Sequence, residues 1–83
     1  MNSVTVVVSI ALVRQKLNAV LYRIQISAIP DNREVRSVLV QANQFIVDAH
    51  NLQYLSHGHT FDLEHLEIPF PLWSDLVRYS GDS

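Results

Sequence analysis

Val4-Thr5-Val6-Val7-Val8-Ser9-Ile10-Ala11-Leu12-Val13 is the stretch on which the fold turns. In an extended chain, alternate side chains point to opposite faces. Val4, Val6, Val8, Ile10 and Leu12 then form one wholly apolar face, and Thr5, Val7, Ser9, Ala11 and Val13 a second, largely apolar one. A strand apolar on both sides requires cover on both sides. A chain of 83 residues rarely has enough length to supply two covering layers. The surplus points to a partner or to a second copy of the chain.

Downstream, Tyr22, Ile24, Ile26 and Ala28 alternate with Arg23, Gln25 and Ser27, the pattern of a half-wet strand. This reading predicts strands near 3–12 and 20–28, joined through Arg14-Gln15-Lys16-Leu17-Asn18, in which only Asn18 favours a turn. A competing pattern is present, because Ile10, Val13, Leu17, Val20, Leu21 and Ile24 also share one helical face. The β-branched run before it and the alternation after it favour the hairpin. Ile29-Pro30-Asp31-Asn32 breaks the strand, and Asp31 with Glu34 three residues on resembles a capping box. From there Val35, Val38, Leu39, Ala42, Phe45, Ile46 and Ala49 keep helical spacing, while Val40 and Val47 fall on the wrong side.

Beyond Asn51, Leu52-Gln53-Tyr54-Leu55 reads as a strand, Ser56-His57-Gly58-His59 as a turn, and Phe61 and Leu63 or Leu66 and Ile68 as a returning strand. Pro69 and Pro71 end it, since proline cannot continue a ladder. Pro71 suits the first turn of a short helix with Leu72, Leu76 and Tyr79 inward and Gly81 beyond its end. The predicted fold is α+β, a single small domain over residues 1–83 in the order ββα-ββ-α. It comprises an N-terminal β-hairpin, an amphipathic helix, a short strand pair and a short C-terminal helix. The alternative is a mostly antiparallel β-meander through 35–41, 44–49 and 51–56.

Composition narrows the function classes. There is no cysteine, which removes disulfides, cysteine-based zinc sites and a cysteine nucleophile, and fits a reducing compartment. The valine run lacks the basic flank and cleavage site of a signal peptide. It is also too short to span a bilayer as a helix. A cytoplasmic protein without membrane association is expected. The net charge of −2 conceals an asymmetry. Residues 1–36 carry Arg14, Lys16, Arg23, Arg33 and Arg36 against Asp31 and Glu34, whereas residues 37–83 carry Arg78 against six carboxylates. Opposite patches steer association when they stay apart, and simply neutralise when the halves pack together.

His50, His57, His59 and His65, with Asp62, Glu64 and Glu67 among them, form the sharpest polar constellation. Imidazoles and a carboxylate can complete a zinc or nickel site, which makes His57, His59, His65 and Asp62 the weak metal candidates. Their spacing matches no metal motif, so no metal or other cofactor is expected. No nucleophile elbow or phosphate-cradling glycine loop is present, and no catalytic residue is assigned. Arg23, Arg33 and Arg36 form a thin basic footprint, without the aromatic platform of single-stranded RNA readers, and nucleic-acid binding is not favoured. Ile68-Pro69-Phe70-Pro71-Leu72-Trp73 holds the only tryptophan, a core cap or a partner anchor. The expectation is a small non-catalytic interaction module, acting as homodimer, assembly subunit or inhibitor-type binder through Val7, Ala11, Val13, Phe70 and Trp73. The alternatives are a histidine-centred metal-binding protein and a weak RNA- or DNA-binding regulator.

Overall fold

A computed structural model describes residues 4–55 and 62–81 and shows an α+β arrangement. Its elements are β1 (Thr5–Val8), α1 (Ile10–Gln25), α2 (Arg33–Leu55), β2 (Leu66–Pro69) and α3 (Phe70–Ser80). β1 and β2 pair antiparallel, with Val6 opposite Ile68 and Val8 opposite Leu66. The hairpin predicted at the N-terminus does not form. The strand stops at Val8, and the segment expected to turn and return is one continuous helix.

The reason lies in Ser9 and in the residues after it. Ser9 is extended (φ −82°, ψ 153°), and its hydroxyl oxygen accepts a hydrogen bond from the Leu12 N–H. This satisfies one of the orphan donors at a helix start. From there to Ile29 the sequence offers no glycine or proline on which a tight turn would be built. Arg14, Gln15, Lys16 and Leu17 are strong helix formers. The alternation over 22–28 spans too few residues to separate a period of 2 from one of 3.6. The set Ile10, Val13, Leu17, Val20 and Ile24 fits the helix over its whole length. Ile10, Val13 and Val20 are buried on that face.

α1 ends in a left-handed turn at Ser27 (φ 61°). The Ala28 N–H reaches back to the Arg23 carbonyl at 2.8 Å and the Ser27 N–H to the Ile24 carbonyl at 3.0 Å, the two bonds of a Schellman cap. α2 starts differently from the capping box that Asp31 and Glu34 suggested. Asn32 is the cap, its Oδ1 accepting from the Val35 N–H at 2.9 Å. Asp31 instead accepts both arms of the Arg36 guanidinium, at 2.6 and 2.8 Å. The helical reading of 35–49 holds, with Val35, Val38, Leu39, Ala42, Ile46 and Ala49 buried, and the meander is excluded. α2 continues through Leu52-Gln53-Tyr54-Leu55, so the strand expected there does not exist. β2 therefore pairs with β1, a partner more than fifty residues away in sequence.

Pro69 closes β2 and opens α3, with Pro71 in its first turn and Gly81 (φ 93°) as its left-handed end. Leu76 is fully buried. α1 and α2 run antiparallel, since Leu21 lies near Arg36 and Val40 while Arg14 meets His50. α1 and α3 leave opposite ends of the sheet and converge at their C-termini, where Arg23 Nη1 donates to the Tyr79 carbonyl at 2.9 Å. A positive charge there also suits the negative end of the α3 dipole. A Cβ on Gly81 would lie 3.1 Å from that same nitrogen. One cluster fills the interior, drawing Val8 and Ile10, Val13 and Val20, the inner face of α2, Leu66 and Ile68, and Leu76. No helix among the described residues is long and apolar enough to cross a membrane.

Candidate functional site

The two-stranded sheet fixes the geometry of the most distinctive surface. The Phe70 N–H donates to the Val4 carbonyl at 2.9 Å. With Thr5 opposite Pro69 and Val7 opposite Glu67, the pairs 4/70, 6/68 and 8/66 carry the ladder bonds. In an antiparallel pair the intervening residues turn their N–H and C=O groups away from the partner. Thr5 and Val7 therefore present their backbone groups along the outer edge of β1, and Glu67 and Pro69 do so along the outer edge of β2. The two edges are not alike. Pro69 has no N–H to offer, and Glu67 adds a charge, both devices that blunt an edge. β1 carries neither proline nor charge from Val4 to Val8.

Side chains reinforce the contrast. Val6 and Val8 face the core side with Leu66 and Ile68, whereas Val4 and Val7 are 67% and 57% exposed. Phe70, opposite Val4 at the end of the ladder, is 48% exposed. On its other flank, Val7 enters an open groove of about 540 Å³ with Phe45, Ala49, Leu52 and Leu66 as apolar lining and Asp48, Asp62, His65 and Glu67 as polar lining. Two of the five predicted contact residues, Val7 and Phe70, thus lie exposed at the sheet, but on opposite faces of it. Ala11 is exposed in the first turn of α1, separated from Val7 by the strand-to-helix change. Val13 is fully buried in the core and cannot meet a partner, because the helix turns its side chain inward. Trp73 is partly buried and packs against the core cluster.

Of the four metal candidates the structure describes two, Asp62 and His65, and these meet each other. His57 and His59 lie outside the described residues. His65 Nδ1 meets Asp62 Oδ2 at 2.5 Å on an exposed turn. That hydrogen bond raises the His65 pKa above its ordinary 6.5 and lowers that of Asp62 below 3.8, the Glu64 N–H adding to the second effect. Among the described residues, no three His, Asp or Glu side chains gather as a metal ion would need. The basic footprint is dispersed by structural duties. Arg23 is half-buried and holds the end of α3. Arg36 is engaged by Asp31, whose pKa its hydrogen bonds lower. Arg33 is exposed at the first position of α2. The charge asymmetry is likewise not a division of the molecule into two ends, since basic α1 packs against both α2 and α3.

Sequence reasoning allowed the first strand an edge but did not say which of its backbone groups face outward, because that depends on register with β2. It also missed Ser9 as a helix cap, although a serine directly before a helical apolar repeat is a start signal. Comparison with models of known protein families, with curated proteins and with solved structures finds no match for this chain.

Proposed function

We propose that the chain is a small non-catalytic protein-interaction module, working as a homodimer, an assembly subunit or an inhibitor-type binder through β1 and the start of α3. The observation that carries this reading is the exposure of Val4 and Val7 on opposite faces of an unblunted strand edge, with Phe70 open beside Val4 on the first of those faces. Scattered exposed apolar residues are ordinary, whereas valines on both faces of a strand whose edge backbone groups have no strand partner make that edge a template for another chain. The polar candidates offer less: the Asp62–His65 pair is mutually satisfied, and Arg23 and Arg36 are engaged within the fold.

The test immobilises the full chain and compares it with a Val7→Lys/Phe70→Ser double variant whose circular dichroism matches the parent. The expected result is a protein retained by the parent, a second copy included, and lost by the variant. Retention of every bound protein by the variant, or no retained protein and a strictly monomeric chain, overturns the reading.

A further inference from the structure

We infer that β1 pairs antiparallel with β1 of a second copy, extending two strands into a four-stranded sheet in the order β2-β1-β1-β2. The inference rests on the interaction proposed above and names the partner. Ladder parity is its foundation. The outward groups of β1 belong to Thr5 and Val7, and among the described residues none of them bonds to backbone elsewhere. A two-fold axis through Val6 sets Thr5 against Val7 of the second copy and Val7 against its Thr5. Each pair then exchanges two N–H···O=C bonds, as an antiparallel ladder requires.

Side chains fit the same register. Val6 meets its own counterpart, and Val4 meets Val8, so β-branched residues face one another on the core side. No charge occurs between Val4 and Val8, so two identical edges meet without like-charge repulsion. Val6 is only partly buried and Val4 exposed, although both share the parity of buried Val8. Cover on that face thins towards the start of β1, where Val4 is left open. The outcome is also closed. Pro69 and Glu67 blunt the other edge, and one open edge per copy gives an isologous dimer instead of a filament.

Four backbone bonds and a stripe of valines bury far less than the roughly 800 Å² per partner of a stable complex. The dimer is therefore weak and concentration-dependent, with a Kd in the range of about 10 μM to 1 mM.

Light scattering and amide exchange on the untagged full chain test this. As concentration rises to about 1 mM, the mass moves from the 9.5 kDa of one chain towards twice that. The Thr5 and Val7 amides become protected, while those of Val6 and Val8, already in the ladder, stay protected throughout. Val7→Pro removes an outward donor without touching a β1–β2 bond, and is expected to remain folded and monomeric. Val7→Lys, which keeps the donor and adds an edge charge, serves if the proline variant fails to fold. A wild-type chain that stays at one-chain mass, or a folded Val7→Pro or Val7→Lys variant that dimerises as tightly as the parent, overturns the pairing. A monomer that still retains another protein through Val7 and Phe70 overturns the pairing and leaves the interaction reading standing.

Discussion

Asp62 and His65 show how an exposed pair writes a pH signature without gathering a site. Their hydrogen bond holds the imidazole protonated above its usual midpoint and the carboxylate ionised below its own. The histidine's contribution to stability is full below pH 6.5 and fades as pH rises through the raised value. The aspartate's is full above pH 3.8 and fades as pH falls through the lowered value. The turn is thus firmest in mildly acidic solution. Imidazole NMR should find His65 titrating above 6.5, and Asp62→Asn should return it towards that value. A midpoint unchanged by the substitution would show that the pair does not form in solution. Sequence reading placed Asp62 and His65 together as metal candidates from adjacency alone. Their three-residue separation suits a turn just as well, and only the geometry distinguishes the two uses.

At the level of elements, the helices owe their ends to single residues. α1 begins because Ser9 satisfies its first turn, and ends because Ser27 accepts a left-handed backbone. That conformation costs a residue with a Cβ about 1–2 kcal/mol, partly offset by the extra entropy of an unfolded glycine. Ser27→Gly should therefore stabilise the protein by about 0.5–1 kcal/mol, read as a higher urea midpoint with unchanged slope. A lower midpoint would mean that the Ser27 side chain supports the turn in a way its backbone does not reveal. α2 was legible from its period over 35–49, although Asn32 and not the Asp31–Glu34 box caps it and its last turn was read as a strand, while α3 was legible from Pro71, its period and Gly81. α1 was misread because two valid local signals competed. The β-branched run was correct through Val8, and the helical repeat was correct from Ile10 onward. Ser9 is the boundary between the two.

For the molecule as a whole, an interior this small makes a few side chains decisive. Leu76 and Ile68 are fully buried where α3 and the sheet enter the core. Leu76→Ala should cost about 2–5 kcal/mol, a large share of the roughly 5–15 kcal/mol available to a domain. Val40, 68% exposed on the solvent side of α2, should tolerate Val40→Ser within about 0.5 kcal/mol. Urea denaturation of both variants checks the contrast, and equal losses would place Val40 against an apolar surface in solution. The same division between inside and outside redraws the predicted contact surface. Val7 and Phe70 stay accessible, Val13 is lost to the core, and Trp73 packs half-buried against it.

By itself the sequence determined the α+β class, the inner face of α2, the bounds of α3 and the apolar character of the first strand. All of these derive from periodicity, caps and prolines within one segment. Tertiary structure alone decided that β1 pairs with β2 across more than fifty residues, and that α1, α2 and α3 pack against one another. It also decided that Thr5 and Val7, and not their neighbours, turn backbone groups outward. Strand register is a relation between distant segments. No local pattern in Val4–Val8 states which of its hydrogen-bonding groups the fold will consume and which it will leave to a partner.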